Sequence, residues 1–334
     1  MAIWKKLWNI TKRRAAKGCV ALLLGYKQTA AKNLRLDTMT NTSASEQAGN
    51  PENRKAPFDW RQTPPPREAD FKTWNKWKAD ALTRSQDEFL RRNKYWFSFT
   101  KSDIPEFFSG KIAFPKLLHR NDGPQRIRFS EAYAQFGSGC RHVAIKYMRG
   151  HSSREVRVLD LKDWPTKAHD CLHKQDVSAE ELEVWYAEAP SLMEEALFTQ
   201  NEPIPRDFKV YCIDGVPRIV GVFNRNQEGK PEFDLLDLER ELFIPWSEIF
   251  YWPPEKIQWK TAGRLENTLV DRAIQAGQFA KDILPMIDAT DLFMSVDCYV
   301  VGANVYLGEL TPRPGAVHAP DLRERFIRFL LAQN

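Results

Sequence analysis

The chain has 334 residues, 43% of them hydrophobic and 28% charged, which is the composition of an ordinary globular protein of one large or two modest domains. Its net charge of +5 originates in residues 1–36, which contain nine basic residues and no acidic one. The rest of the chain is therefore net acidic. This charge distribution argues against a nucleic-acid-binding body, which would need a basic surface.

The cysteines indicate a reducing compartment. The five of them stand far apart and form no C-x-x-C pair: Cys19, Cys140, Cys171, Cys212 and Cys298. Such spacing favours free thiols over a disulfide framework or a cysteine zinc site. We therefore expect a cytoplasmic protein.

The basic leader, residues 1–36, allows two interpretations. Its apolar run, residues 19–24, is much shorter than the ~20 residues that span a bilayer, and no clear cleavage site follows it. With Trp4 and Trp8 among the basic residues, the leader suits peripheral contact with an anionic membrane surface. The alternative is a solvated tail. A polar linker, residues 38–56, follows it.

The first half of the body predicts helices and strands in alternation. An aromatic-rich helical spacing runs through residues 58–99, and residues 114–137 indicate a short α/β passage that ends in a helix. Residues 141–161 read as strand, turn and strand, and residues 178–188 as a helix. Between these last two, His169 and His173 would share a helical face, an arrangement more typical of a solvated helix end than of a metal site.

The second half predicts two antiparallel hairpins around a helix. Residues 205–224 form two strands joined at Asp214-Gly215, a strong hairpin signal. Residues 264–283 have helical spacing, and a second hairpin, SVDCYVVGANVYLGELTPRPG, occupies residues 295–315. The fold class expected from this order is α+β.

Two acids stand in the arms of the second hairpin at similar distances from its turn. Asp297 and Glu309 would be cross-strand neighbours, whose Cβ atoms are ~4.5–5.5 Å apart in an antiparallel pair. Mg²⁺ commonly takes one or two carboxylates together with substrate phosphates, so the pair suits a magnesium site. Two solvent-facing acids would fit the same alternation.

Two lysines lie inside otherwise apolar strands. Lys146 and Lys209 suit the binding of a polyphosphate, although a solvated strand face explains each one singly. The loop around Gly150 offers backbone amides that can cradle phosphates. The segment SLMEEALF, residues 191–198, is either an exposed helix end or a connector whose backbone reads an adenine edge.

Four segments, in this order, resemble one family: VAIKYMRGHSS, LMEEALF, PRDFKVYCIDG and VDCYVVGANVYLGELTPRPG. They resemble the ATP-grasp superfamily of carboxylate–amine ligases, and most closely its TupA-like branch, which is named for teichuronopeptide synthesis and found among cell-surface polysaccharide genes. The resemblance implies an ATP-grasp fold, in which two α/β subdomains, residues 136–197 and 198–334, sandwich the nucleotide. An aromatic-rich N-terminal region, residues 57–135, and the leader with its linker, residues 1–56, would precede them.

The same resemblance implies a role for each matching residue. Lys146 would contact the nucleotide phosphates, Asp207 would bind the ribose, Lys209 would approach the transferred phosphate, and Arg313 with Gly315 would line the acceptor pocket. The loop that closes over the phosphates would comprise Gly150, His151, Ser152 and Ser153. The hinge whose main chain recognises adenine would comprise Glu194, Glu195, Ala196 and Leu197. The magnesium ligands would be Asp297, Glu309 and Thr311.

Three positions depart from the wider superfamily. Thr311 stands where many ATP-grasp enzymes have a metal-binding Asn, Ser295 stands where many have Arg, and the phosphate loop has a single glycine, Gly150. These departures bear on the metal ligands, on one phosphate or substrate contact and on the mobility of the loop.

The activity implied is ATP-dependent ligation of a small-molecule carboxylate to an amine, or to a thiol, through an acyl phosphate. The cofactors implied are ATP and Mg²⁺. The substrates implied are sugar-linked components of a surface-polymer pathway. Two alternatives stay open: a nucleotide-binding scaffold at the membrane surface without catalysis, and a sugar kinase.

Overall fold

The computed structural model describes residues 58–93, 108, 111–148, 155–198, 204–226, 232–251, 267–314 and 321–332. All of them belong to one compact unit, Pro57–Asn334. They form two antiparallel sheets with helices packed against them, so the expected α+β class is confirmed.

The helices are α1 (Phe71–Arg92), α2 (Phe129–Ala132), α3 (Ala179–Glu188), α4 (Trp246–Ile249), α5 (Asn267–Ile283) and α6 (Glu324–Leu331). A π turn, Tyr133–Gly137, continues α2, and a 3₁₀ turn, Leu284–Ile287, continues α5. The strands are β1 (Leu117–Asn121), β2 (His142–Tyr147), β3 (Val156–Asp160), β4 (Lys167–Asp170), β5 (Gln175–Ser178), β6 (Ser191–Glu195), β7 (Asp207–Ile213), β8 (Val216–Asn224), β9 (Glu232–Asp237), β10 (Leu242–Phe243), β11 (Phe293–Val301) and β12 (Asn304–Thr311).

The first sheet has the strand order β1-β6-β2-β3-β4-β5. One of its faces packs against α2 and α3 around a buried cluster that includes Phe129, Val143, Ile145, Leu182 and Tyr186. Because side chains alternate along a strand, Ala144 and Lys146 point away from these helices. The opposite face therefore carries its own set of side chains, which includes Lys146.

The second sheet has the strand order β10-β9-β8-β7-β11-β12. Helix α5 lies across β7, β8, β11 and β12, and its small residues Ala273, Ala276 and Ala280 are fully buried there. Helices α4 and α6 pack beside Tyr211 and Leu235, on the face that Lys209 shares by alternation.

Helix α1 packs against the second sheet, although no feature of its sequence indicates which sheet it would join. The Ser85 hydroxyl accepts a hydrogen bond of 2.8 Å from the Phe293 amide at the start of β11. Arg92 joins Glu88 to Asp291, and the pKa of Glu88 is lowered to about 2, chiefly through the hydrogen bonds from Arg91 and Arg92. The helix is thereby fixed at the same strand that carries Asp297.

The turns agree with the sequence in one hairpin and correct it in one connection. Asp214 and Gly215, between β7 and β8, both have positive φ, as a two-residue hairpin turn of type I′ requires. The predicted helical face of His169 and His173 is wrong. His169 lies in β4 and contacts Asp176, and His173 lies in the following turn, 2.8 Å from Asp170.

None of the helices in the described ranges combines the length and the apolar character that a membrane crossing requires.

Candidate functional site

Three charged side chains form a row across the second sheet. Asp297 of β11 is directly opposite Glu309 of β12 on one side and Lys209 of β7 on the other. Directly opposed residues of an antiparallel ladder point to the same face. The order across the sheet is therefore acid, acid and base, with both acids on one face, as the sequence predicted.

A β-bulge at Gly308 produces this register. Val301 to Cys298 pair in regular steps with Asn304 to Leu307, but the next pair is Asp297 with Glu309, so Gly308 is an extra residue. Had the regular steps continued, Asp297 would oppose Gly308, and Glu309 would point to the opposite face. A Cβ at Gly308 would lie 3.0 Å from Tyr299 Cε2 and 3.2 Å from the Asp297 carbonyl. A side chain at this position would thus be crowded by Tyr299 and by the β11 backbone, which favours glycine at the bulge.

Both oxygens of the Asp297 carboxylate are engaged. One forms an ion pair with the Lys209 ammonium, and the other accepts a hydrogen bond of 2.8 Å from the Ser295 hydroxyl. Burial raises the pKa of the Asp297 carboxyl, and the charge of Lys209 opposes that rise. Thr311 is directly opposite Ser295. It lies two residues beyond Glu309 on the same strand and therefore on the same face.

Asp207, the expected ribose ligand, lies at the start of β7, opposite Tyr299. Its carboxylate accepts a hydrogen bond of 3.0 Å from Arg225 Nε, and Arg225 Nη2 lies 3.0 Å from the same oxygen. Sequence reasoning missed Arg225, which follows β8 directly. The available signal was a basic residue at the end of the strand that pairs with the acid-bearing one.

On the first sheet, Lys146 and Glu194 form an ion pair on the face turned away from α2 and α3. They occupy neighbouring strands, β2 and β6, and are offset by two residues along the ladder, which keeps them on one face. Their side chains are 10% and 8% exposed, so the pair is nearly enclosed. Lys146 therefore lies inside a strand, as the sequence predicted, and is paired with an acid that the sequence assigned to the adenine hinge.

The expected adenine hinge begins as a strand and continues beyond it. Glu194 and Glu195 are the last residues of β6, and Ala196 and Leu197 follow. The amides of Glu195 and Ala196 donate to the carbonyls of Lys116 and His142, at 2.8 Å and 3.1 Å. No carbonyl within the described ranges pairs with the Leu197 amide in this way. Of the four predicted hinge residues, Leu197 is thus the one whose amide is best suited to a ligand.

Tyr299 of β11 lies beside the charged residues of the second sheet, directly opposite Asp207 of β7. The carboxylate of Asp207 and then burial raise the pKa of its hydroxyl, and Glu194 of the first sheet and Asp297 act in the same direction. A single hydroxyl thus experiences the charges of Glu194 on one sheet and of Asp207 and Asp297 on the other. Tyr299, which sequence reasoning also missed, is directly opposite Asp207 and shares the face of Asp297, two residues away on the same strand.

The donors of the second sheet suit a hard cation. No cluster of three or more His, Cys, Asp or Glu side chains that could hold a metal occurs within the part of the chain described. Asp297 and Glu309 supply two carboxylates on one face, and Thr311 adds a hydroxyl. This is the oxygen-only donor set with which Mg²⁺ binds when substrate phosphates complete its shell. The residues therefore fit Mg²⁺ bound together with a nucleotide.

Several predicted residues lie outside the described ranges: Gly150, His151, Ser152, Ser153 and Gly315. Arg313 is described and is half-buried directly after β12. A groove of about 430 Å³ also runs along α3, lined by Arg157, Trp185 and acidic residues of the helix. It contains none of the residues that the sequence assigned to the nucleotide.

Comparison with known proteins gave matches among solved structures only. No protein-family model matches the chain, and no curated protein matches it. The chain is similar to the structure of the ATP-grasp ligase PsnB complexed with a phosphomimetic variant of its minimal precursor, Mg and ADP. That match has 15% identity and a TM-score of 0.38, and it covers 79% of this chain and 64% of PsnB.

Two further structures are similar to the chain. D-alanine–D-alanine ligase from Bacillus anthracis has 14% identity and a TM-score of 0.35, with 65% of this chain and 58% of that one covered. N5-carboxyaminoimidazole ribonucleotide synthetase from Thermus thermophilus has 13% identity and a TM-score of 0.34, with 64% and 45% covered. The chain thus spans less than two thirds of the length of each of these three structures. The residue roles proposed below rest on the geometry of this chain.

Proposed function

We propose that the protein is an ATP-dependent ligase of the ATP-grasp type, which joins a carboxylate to an amine through an acyl phosphate. The observation that carries this proposal is the row of Glu309, Asp297 and Lys209 across three adjacent strands. Two carboxylates and an ammonium on one face can bind a divalent cation and a phosphoryl group side by side.

The nucleotide would lie between the two sheets. Lys146 would bind its phosphates, the Leu197 amide would donate to the adenine, and Asp207, oriented by Arg225, would accept from the ribose hydroxyls. Tyr299, directly opposite Asp207, would lie beside the ribose. The bound nucleotide would therefore have the second-sheet row beside its terminal phosphates.

Mg²⁺ held by Asp297, Glu309 and Thr311 would neutralise charge on the β- and γ-phosphates. Lys209 would stabilise the charge that develops on the phosphoryl group as the substrate carboxylate attacks it. That attack forms the carbonyl–O–P bond and releases ADP. The amine then attacks the carbonyl carbon and loses a proton, the C–O bond to phosphate breaks, and the products are an amide and inorganic phosphate.

The acceptor end of the site would lie beyond Glu309. Thr311 of β12 is opposite Ser295 of β11 there, and Arg313 lies two residues after Thr311. Arg313 would bind the acceptor carboxylate or the oxyanion of the tetrahedral intermediate. The resemblance to the TupA-like branch supports a substrate of the surface-polysaccharide type, such as an amino acid or a uronic acid.

The reaction is tested with a candidate carboxylate whose oxygens are labelled with ¹⁸O, together with ATP, Mg²⁺ and a panel of amines. An acyl-phosphate ligase releases ADP and transfers one ¹⁸O atom to the inorganic phosphate, which mass spectrometry detects. A sugar kinase instead gives a product that retains the phosphate. Absence of nucleotide binding at millimolar Mg-ATP would contradict the proposal.

A second candidate function is nucleotide binding without transfer. The observation that favours it is that Lys209 and Ser295 together engage both carboxylate oxygens of Asp297. ATP binding with no ADP release, across a broad panel of carboxylates and amines, would support this candidate over the ligase.

A further inference from the structure

The charged groups of the candidate site are already paired with one another. Three cation–carboxylate pairs lie along it: Lys146 with Glu194, Lys209 with Asp297, and Arg225 with Asp207. Glu309 is exposed and has no ion-pair partner within the described ranges. The site therefore presents little net charge of either sign, apart from one carboxylate at its edge.

Only one of these pairs occupies an expected magnesium ligand. The Lys209 ammonium lies against Asp297, and both side chains are about four-fifths buried, at 19% and 20% exposed. The remaining Asp297 oxygen accepts from Ser295. A divalent cation that approaches Glu309 thus finds the second carboxylate already neutralised by an ammonium on the adjacent strand.

We propose that the Lys209 ammonium competes with a divalent cation for Asp297. A nucleotide phosphate that binds Lys209 instead would release Asp297 to the metal. This inference rests on the proposed function, because it takes the polyphosphate of a nucleotide as the ligand that attracts Lys209. It adds to that function an obligatory coupling between two ligands. The metal and the nucleotide bind weakly alone and tightly together.

The coupling follows from the electrostatics of a partly buried pair. Separation of Lys209 from Asp297 would leave an uncompensated charge on each, and such separation is costly in a partly dehydrated site. The metal compensates Asp297, and the phosphate compensates Lys209, so the presence of both ligands removes both penalties. Coupling of this kind is reciprocal: the metal raises nucleotide affinity by the same factor by which the nucleotide raises metal affinity.

Lys146 provides the matched control. It is also a strand lysine in an enclosed ion pair, but its partner, Glu194, lies on the other sheet and is not an expected metal ligand. Loss of Lys146 therefore removes a comparable charge from the site without uncovering Asp297.

The test measures Mn²⁺ binding to the full chain by electron paramagnetic resonance of the free ion, with and without a non-hydrolysable ATP analogue. Wild type, Lys209→Met and Lys146→Met are compared, and near-ultraviolet circular dichroism checks the fold of each. Without nucleotide, we expect Lys209→Met to bind Mn²⁺ at least tenfold more tightly than wild type, and Lys146→Met to bind it as wild type does. In Lys209→Met combined with Glu309→Gln the gain disappears, which locates the ion.

Equal Mn²⁺ affinity of wild type and Lys209→Met without nucleotide overturns the proposal, and so does a wild-type Mn²⁺ affinity that the nucleotide leaves unchanged. If Lys209→Met does not fold, Lys209→Gln replaces it, because its amide still donates to Asp297 without the charge; a gain in Mn²⁺ affinity is again expected, and its absence has the same meaning. Failure of the proposed function is seen separately, as absent nucleotide binding, since the metal-only comparison requires no nucleotide.

Discussion

The two sheets present their charged residues in different ways. On the first sheet, Lys146 and Glu194 are offset by two residues along the ladder and nearly enclosed. On the second sheet, Glu309, Asp297 and Lys209 are in direct register, and the row ends in an exposed acid at the sheet's edge strand. The first arrangement is self-compensating, whereas the second has an acid left over for a cation.

From this difference we expect the two sheets to have separate roles in binding the nucleotide and the metal. A single enclosed ion pair can open for a nucleotide phosphate but offers no second carboxylate for a metal. A row of two acids and a base can accept a cation and a phosphate together. We therefore expect residues of the second sheet to control turnover and metal binding, and residues of the first to control nucleotide affinity.

The largest effect is expected for the two acids of the row. Asp297→Asn and Glu309→Gln should each lower turnover about a thousandfold, which is the loss expected when a group that stabilises transition-state charge is removed. Their fold should be largely kept, because the substitutions are isosteric. Steady-state ADP release and circular dichroism measure both. Glu239→Gln, an exposed acid that follows β9, is the control, and unchanged activity in both acid variants would remove the metal assignment.

A smaller effect, of a different kind, is expected on the first sheet. Lys146→Ala should weaken nucleotide affinity by about 10- to 100-fold, which corresponds to the loss of one charge-assisted hydrogen bond. Acceptor affinity should change less, since the acceptor lies at the other sheet. Calorimetric titration with the nucleotide and the KM for the acceptor separate the two. The opposite pattern would mean that Lys146 serves the acceptor.

The bulge of the second sheet should respond in steps to side-chain size. Gly308→Ala brings a methyl group to 3.0 Å from Tyr299, and Gly308→Val adds more bulk, which displaces Glu309 from its position opposite Asp297. We expect Gly308→Val to weaken Mn²⁺ binding in the presence of nucleotide about tenfold, at the low end of what misplaced metal ligands cost, and Gly308→Ala to have a smaller effect. Wild-type metal affinity in Gly308→Val would show that the bulge does not position Glu309.

The smallest effect on activity is expected behind the second sheet, at Lys78 of α1. Burial lowers the pKa of this lysine from 10.5 to about 8, against the charge of Asp321. Between these two pH values the unfolded chain binds more protons, so the contribution of Lys78 to the free energy of unfolding rises with pH, by up to about 3 kcal/mol.

Lys78→Met should remove this rise and leave activity unchanged. Urea unfolding at pH 7, 9 and 10.5 measures the difference between variant and wild type, and Lys76→Met, at an exposed position of the same helix, is the control. The same difference at all three pH values would contradict the assignment of this titration to Lys78.

Several features of the fold were readable from local chemistry. Ser178 caps α3 by accepting from the Glu181 amide, and Asp214-Gly215 forms the β7–β8 turn, because both are short-range preferences of the backbone. The side chains of His169 and His173 were misplaced, because their apparent i, i+4 spacing is equally available to a strand and a turn.

The site was predictable in its members but not in their partners. Asp297 and Glu309 stood out as acids in apolar strands. Arg225 and Tyr299 did not, because their contacts join residues far apart in the sequence. The loop around Gly150 and its proposed closure over the phosphates stay predictions.

The sequence by itself determined the strands of its predicted hairpins and that an acid stands in each arm of the last one, since these depend on alternation and turn residues. The tertiary structure decided that the acids share a face, since Glu309 is one residue farther from the turn than Asp297 and a regular ladder without the bulge at Gly308 would have put them on opposite faces. It also decided that Lys209 is opposite Asp297 and that Tyr299 is opposite Asp207. The reason is physical: register and sheet order are set by the packing of distant strands, whereas side-chain alternation is set by the local backbone.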